Sequence, residues 1–155
     1  MDPATRTEFE QLFHRPPTLL FTAPGRTELG GNHTDHQQGC VLAGGVDLLV
    51  SAAVAENDTG TVRLASQGYG KCQVSLYDLA PVEQEKGTTA ALVRGMASGV
   101  SGDLRGLDIY VSTKVPAGSG LSSSAATEIL LGTVFNHCWN GDRMGPVALA
   151  KLAQR

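Results

Sequence analysis

The sequence predicts an α+β fold in which helices pack on a mixed or antiparallel sheet. Strand-like segments come first, at residues 47–55 and 61–66, and a strand, a glycine- and serine-rich loop and a helix follow between residues 107 and 137. Of the 155 residues, 41% are hydrophobic and 17% are charged, which is enough apolar material for one buried core. We therefore expect a single domain over residues 1–155.

A helix and a short strand are expected at the start of the chain. Apolar residues recur on one side of residues 5–14, which predicts a helix, and two prolines follow it. Residues 19–22 are apolar and β-prone and lead into a proline and a glycine, which predicts a strand that ends in a turn. Residues 25–45 have the composition of a loop.

The next segments predict paired strands. Residues 47–55 and 61–66 are strand-like, and the five residues between them are rich in turn formers, so we expect these two strands to form a β-hairpin. A further short strand is expected at residues 72–76.

Helical spacing returns in the second half of the chain. Apolar residues recur at helical intervals over residues 88–99, and residues 107–112 alternate between apolar and polar, as in a half-buried strand. An apolar, buried helix is expected at residues 125–137, with a break at Asn140–Gly141. A last helix begins near Val147 and has no C-terminal cap, so we expect the sequence to stop inside an element.

Composition and charge exclude several functions. With 12 basic and 15 acidic residues, the formal net charge is −3, and no basic run supplies the phosphate neutralisation that general nucleic-acid binding requires. The longest apolar stretch, Leu48–Ala55, is far shorter than the roughly 20 residues of a membrane-spanning helix, and the acidic N-terminus is unlike a secretory signal. Three cysteines without CxxC spacing predict neither a disulfide framework nor a zinc site. We expect a cytoplasmic monomer that binds neither nucleic acid nor membrane.

The glycine- and serine-rich loop at residues 116–126, PAGSGLSSSAA, is typical of an anion site. Glycines let consecutive N–H groups face one concavity, and the helix after the loop adds free N–H groups and its positive dipole end. The loop lacks the lysine of a Walker A motif, the third glycine of a Rossmann motif and the spacing of a nucleophile elbow. A surface loop with a serine N-cap is the alternative.

A second polar segment, APGRTELGGNHTDH at residues 23–36, combines a cation, an amide, two imidazoles and a carboxylate. Arg26 offers planar donors that suit phosphate oxygens, and Asn32 and Asp35 have the groups that bind vicinal hydroxyls. A sugar next to a transferring phosphate would use all of them. The two histidines with the aspartate are also a weak metal-ligand pattern, and the segment alone is compatible with a polar surface turn.

Both segments resemble motifs of the galactokinases, which are members of the GHMP family of small-molecule kinases. APGRTELGGNHTDH resembles the galactokinase signature GRVNLIGEHTDY, and PAGSGLSSSAA resembles the phosphate-binding motif of the family. The resemblance implies a GHMP kinase N-terminal domain of the ribosomal protein S5 domain 2-like fold, with helices on one face of the sheet. The signature segment would cover about residues 19–45 and the phosphate loop residues 116–126. The implied activity is ATP-dependent phosphorylation of the anomeric hydroxyl of galactose or a related sugar.

The resemblance also implies roles for individual residues, with ATP and Mg²⁺ as cofactors. Arg26 matches the arginine that stabilises charge at the transferring phosphoryl group, Ser66 lies where many relatives have a nucleotide contact, and Ser124 matches a Mg²⁺ ligand. The implied sugar-binding residues are Asn32, His33, Thr34 and Asp35. The implied ATP phosphate loop consists of Gly118, Ser119, Gly120, Leu121, Ser122, Ser123 and Ser124.

Some positions depart from the pattern of the family. Asn32 replaces a glutamate, His36 replaces a tyrosine, Glu28 stands where asparagine is usual, and no tryptophan is present around Thr89, where relatives have one near the adenine. In the family, the catalytic aspartate and the glutamate that completes the Mg²⁺ site lie further along the chain than Arg155. We therefore expect an N-terminal fragment that does not contain the catalytic base.

Two other functions remain open from the sequence. A non-catalytic regulator of the same lineage would bind sugar and ATP without turnover. A metal-dependent hydrolase would use His33, Asp35 and His36 as ligands.

Overall fold

A computed structural model describes residues 3–31, 40–116 and 118–154 of the chain. The α-helices of these ranges are α1 (Pro3–Phe13), α2 (Thr89–Ser98), α3 (Ser123–Asn140) and α4 (Pro146–Ala153). The β-strands are β1 (Leu19–Gly30), β2 (Leu42–Asn57), β3 (Thr61–Ser66), β4 (Gly70–Ser75) and β5 (Gly106–Thr113). A short 3-10 turn at Glu83–Glu85 precedes α2. Over these residues, no helix combines the length and apolar character that crossing a bilayer demands.

The strands form one mixed sheet in the order β1-β2-β5-β3-β4. Strands β3 and β5 are parallel, and the other neighbouring pairs are antiparallel. The predicted α+β class with a mixed sheet is therefore confirmed. From β3 onward, the predicted helices and strands begin and end within three residues of the observed ones, except that α4 ends at Ala153 and does not continue to the end of the chain.

The loop predicted at residues 25–45 is wrong over much of its length. β1 continues to Gly30 and β2 begins at Leu42, and the two strands pair from Leu19 opposite Val54 to Gly30 opposite Leu42. Register shifts between Pro24 and Arg26 and between Glu28 and Gly30 interrupt the ladder locally. Pairing with β2 satisfies the backbone groups of this glycine-rich segment, so its residues are extended despite a loop-like composition.

The β-hairpin predicted from residues 47–55 and 61–66 is also wrong. β5 lies between β2 and β3, antiparallel to the former and parallel to the latter. β3 instead pairs antiparallel with β4, where Ser66 lies opposite Gly70. Turn-forming residues predict that the chain reverses, but they do not determine which strand occupies the neighbouring position in the sheet.

The core lies mainly between the sheet and helices α2 and α3, and α4 packs against α3. The opposite face of the sheet is covered by α1, whose Phe9 is fully buried against Ala53 and Ala55 of β2. Since alternate residues of a strand face opposite sides, these small side chains make room for the helix. The prediction that the helices lie on one face of the sheet is therefore correct for α2 and α3 and wrong for α1.

Covering both faces buries β5, so the predicted half-buried strand is wrong as well. Asp108 of β5 is fully buried, and both its carboxylate oxygens accept hydrogen bonds from Arg63, at 2.6 and 2.7 Å. Arg15 and Asn57 also donate to it, at 2.5 and 2.8 Å. Burial alone would raise the pKa of Asp108, but hydrogen bonds from Arg63, Arg15 and Asn57 outweigh it and lower the pKa. Asp108 therefore joins β2, β3 and the segment that follows α1 to the centre of the sheet.

Candidate active site

The loop before α3 alternates in backbone handedness. Gly118, Gly120 and Ser122 have positive φ angles of 72°, 76° and 57°, whereas Ser119 and Leu121 between them do not. Such alternation turns successive N–H groups towards one concavity, which is an anion-binding nest. A Cβ atom added at Gly118 or Gly120 would meet nothing within 4 Å, so this side of the loop is open to a ligand.

The N-terminus of α3 contributes further hydrogen-bond donors. Ser122 at the N-cap makes no side-chain capping bond, and the N–H groups of Ser123, Ser124 and Ala125 have no acceptor in the part of the chain that the structure describes. These donors lie at the positive end of an 18-residue helix. Free amides, a helix dipole and an open nest together form a site that suits a polyphosphate.

The two motifs predicted to act together are in direct contact. The backbone N–H of Arg26 in β1 donates to the carbonyl oxygen of Leu121 in the loop, at 3.0 Å. Gly25 allows this close approach, because a Cβ atom at that position would lie 2.9 Å from the same oxygen and about as close to Val115. The sheet thus places Arg26 next to the phosphate loop, although the two are far apart in the sequence.

The side chain of Arg26 lies beside the loop and is partly exposed. Its Nη1 donates to Oε1 of Glu28 at 2.7 Å, with 48% of the arginine side chain and 32% of the glutamate side chain accessible to solvent. Arg26 and Ser122 also line a groove of about 430 Å³ between β1, α3 and α4. Glu128 of α3 lines the same groove, and burial raises its pKa.

A cavity of about 180 Å³ adjoins the loop on the other side of α3. Ser66, whose role in nucleotide binding was expected from the family resemblance alone, lines this cavity together with Ser123 and Ser124. Thr89 also lines it, at the position near which relatives have a tryptophan. The remaining lining residues are Leu64, Tyr69, Leu92, Val111, Thr113, Val115 and Thr127. An apolar chamber with hydroxyl groups, open next to a phosphate site, is typical of a pocket for a nucleoside.

Sequence reasoning missed several residues of this cavity. Thr127 lies four residues after Ser123 on the same helix, so helical periodicity would have identified it. Tyr69, in the turn between β3 and β4, and Thr113, at the end of β5, carry no local signal, because their place beside α3 depends on the order of strands in the sheet.

The predicted sugar contacts Asn32, His33, Thr34 and Asp35 lie outside the described residues, as does His36. Ala117 of the phosphate loop does too. Among the described residues, no group of three His, Cys, Asp or Glu side chains is placed to hold a metal ion.

Comparison with known proteins finds two family models that match parts of the chain. Residues 7–56 match the model of the galactokinase galactose-binding signature, and residues 86–155 match that of the GHMP kinases N-terminal domain. In both segments the chain is similar to the galactokinases and other GHMP kinases. The second match contains the whole loop and α3, and the first contains the Arg26 segment, so each of the two segments that are in contact in the fold lies within one of the matches.

Individual relatives agree with this assignment. The galactokinase of Chloroflexus aurantiacus is 37% identical over 150 residues, which are 94% of this chain and 38% of the relative. The crystal structure of Lactococcus lactis galactokinase complexed with galactose matches 97% of this chain and 40% of its own, with 25% identity and a TM-score of 0.83. Methanococcus jannaschii mevalonate kinase shares the fold at 16% identity, over 87% of this chain and 44% of its own, with a TM-score of 0.73. This chain therefore spans about two fifths of the length of these galactokinases.

Proposed function

We propose that this chain is the N-terminal domain of an ATP-dependent sugar kinase, which phosphorylates the anomeric hydroxyl of galactose or a related sugar. The observation that carries the proposal is the contact between Arg26 and Leu121, which joins the galactokinase signature to the phosphate loop. Because the chain spans only 38% of its curated relative, the activity is proposed for the whole protein.

ATP would bind with its phosphates on the loop. The nest at Gly118–Ser122 and the free N–H groups that begin α3 supply donors for phosphate oxygens. The adjoining cavity, with Ser66 and Thr89 in its wall, would receive the nucleoside. The terminal phosphate would then face Arg26, which lines the groove on the other side of the loop.

Ser124 would contribute its hydroxyl to a Mg²⁺ ion bound with the nucleotide. Mg²⁺ takes hard oxygen ligands and commonly binds through phosphates, waters and few protein groups, which fits a single hydroxyl at this position. When bound, the ion neutralises charge on the phosphate oxygens.

Catalysis by these residues would consist of positioning and electrostatic stabilisation. Asn32, His33, Thr34 and Asp35 would hold the sugar, with Asp35 on ring hydroxyls. The guanidinium of Arg26 would stabilise the negative charge of the phosphoryl group as it moves from ATP to the sugar hydroxyl. We assign no catalytic base to the described residues; buried Asp108, which is held by two arginines, is occupied structurally.

The test is sugar-dependent release of ADP by the full-length protein. We expect galactose to stimulate ADP release, and Arg26→Ala to lower kcat by about 10²- to 10³-fold with little change in sugar affinity. Arg6→Ala, an exposed arginine of α1, serves as the matched control and should retain wild-type turnover. Equal losses of turnover and sugar affinity in Arg26→Ala would contradict the role of Arg26. Binding of galactose and ATP without ADP release would instead favour a non-catalytic regulator.

The proposal includes a cytoplasmic monomer whose partner is a small sugar. It includes no nucleic-acid or membrane partner. A sedimentation-velocity measurement of the full-length protein tests the monomeric state, and a dimer would contradict it.

A further inference from the structure

We propose that Glu28 is a built-in counter-ion of Arg26, which occupies part of the guanidinium until a phosphate group of the nucleotide replaces it. The inference rests on the proposed function, because it concerns the same phosphate site. It assigns to Glu28 control over how strongly the site binds a polyanion.

Among the described residues, the two side chains form a pair with each other. Arg26 and Glu28 are two residues apart on β1, so both project from one face of the strand. Their partners across the ladder are Gly45 and Ala43, which offer neither charge nor polar side-chain atoms. Nη1 of Arg26 donates to Oε1 of Glu28 at 2.7 Å, and the other guanidinium N–H groups donate to no described residue.

The backbone of the pair is anchored, whereas the side chains are partly in solvent. The N–H of Arg26 is bonded to Leu121 of the phosphate loop, and register shifts in the ladder lie on either side of the pair. A phosphate on the loop therefore approaches a guanidinium whose position along the strand is set. Since 48% of the arginine side chain is accessible, an anion can reach its remaining donors without unfolding the strand.

The charge of Arg26 is important for binding a phosphate on the loop, because the loop has no cation of its own. Residues 116–124 contain neither lysine nor arginine, so the loop binds anions through backbone amides and hydroxyls. Glu28 offsets the charge of Arg26, whose backbone N–H is bonded to this loop. A polyphosphate must share or displace that carboxylate, and the cost of doing so lowers its affinity.

The experiment measures tripolyphosphate binding to the full-length protein by isothermal titration calorimetry. Glu28→Gln retains a side-chain oxygen that accepts a hydrogen bond and removes the negative charge. At about 0.01 M ionic strength, where screening extends over about 30 Å, we expect this variant to bind tripolyphosphate about two- to fivefold more tightly than wild type. At 1 M salt, where that distance is about 3 Å, the gain should disappear.

Two controls separate this mechanism from other effects of charge. Glu10→Gln removes the partner of Arg6 in an exposed ion pair of α1 and should leave the affinity unchanged, although it alters the net charge equally. In an Arg26→Gln background, Glu28→Gln should lose more than half of its gain, because the carboxylate acts through the arginine.

Each outcome decides the inference. Unchanged or weaker affinity in Glu28→Gln, a full gain in the Arg26→Gln background, or no tripolyphosphate binding by either wild type or Glu28→Gln would overturn it. Tighter binding in Glu28→Gln without sugar-dependent ADP release by wild type would refute the proposed kinase and leave the inference standing. Sugar-dependent ADP release by wild type, with unchanged tripolyphosphate affinity in Glu28→Gln, would support the proposed kinase and refute the inference.

Discussion

Gly25 is the position where the contact between β1 and the phosphate loop is most sensitive to an added methyl group. In Gly25→Ala, the new Cβ would lie 2.9 Å from the carbonyl oxygen of Leu121 and 3.2 and 3.3 Å from the methyl groups of Val115. The closest atom belongs to the backbone, so it cannot move aside as a flexible side chain would. The loop must therefore shift away from β1, which stretches the 3.0 Å hydrogen bond between Arg26 and Leu121.

The structure sets the size of the effect. Overpacking costs about 1–3 kcal/mol, and loss of one backbone hydrogen bond about 1 kcal/mol, so the free energy of unfolding should fall by about 2–4 kcal/mol. Because the full-length protein is longer than about 250 residues, each kcal/mol should lower its Tm by less than about 2–4 °C, so we expect a decrease of a few degrees. Displacement of the amides should also weaken MgADP binding by about tenfold, equivalent to one charge-assisted hydrogen bond.

Differential scanning calorimetry and MgADP titration of the full-length protein measure both effects. Gly45→Ala is the matched control, because Gly45 lies opposite Arg26 on β2 and an added Cβ would have its nearest neighbour, Pro24, at 3.7 Å. Neither glycine has a positive φ angle, so alanine causes no backbone strain at either position. Gly45→Ala should remain within about 0.5 kcal/mol of wild type.

If Gly25→Ala matched Gly45→Ala in both Tm and MgADP affinity, the reasoning would be refuted. The loop would then tolerate displacement from β1, and contact with the signature strand would not determine its geometry.

Two other predictions concern the core. Asp108→Asn should lower the free energy of unfolding by about 2–3 kcal/mol in urea titrations at pH 7, whereas the exposed Asp103→Asn should change it little. The folded state lowers the pKa of Asp108 below 3.8, so the stabilisation by its carboxylate is complete above about pH 5 and is lost as the pH falls through that lowered value. The difference in unfolding free energy between Asp108→Asn and wild type should therefore shrink in acid. A difference that stays constant with pH would contradict this. Burial raises the pKa of Cys138 to about 11 and also raises that of Cys72, so a disulfide reagent at pH 8 should label exposed Cys40 in the native protein and the other two only after unfolding. Equal labelling rates of the three thiols would show that this burial is wrong.

Much of the candidate site at the start of α3 was predictable because it is built from contiguous residues. Glycines at positions 118 and 120 adopt positive φ without steric cost, and the following apolar run forms the helix whose N-terminus supplies free amides. The positive φ of Ser122 is the one part of this nest that composition does not indicate. As the N-cap of α3, Ser122 makes no side-chain capping bond.

The partners of each strand were not predictable in the same way. The turn formers after β2 correctly predict that the chain reverses. The strand that lies between β2 and β3 is nevertheless β5, which lies fifty residues further along the chain. The packing of α1 on the second face of the sheet was not predictable for the same reason. Phe9 is buried against Ala53 and Ala55, which are far from it in the sequence.

By itself, the sequence determined an α+β domain with a glycine- and serine-rich loop at the start of α3 and a polar segment that resembles the galactokinase signature. These properties depend on the backbone preferences and spacing of residues that are neighbours in the chain. Only the tertiary structure decided that the backbone of Arg26 is bonded to that loop and that the side chain of Arg26 pairs with Glu28. It also decided that Ser66 shares a cavity with Ser124. Those contacts depend on the order of strands, which is set by burial and hydrogen bonding between distant segments and leaves no local signal.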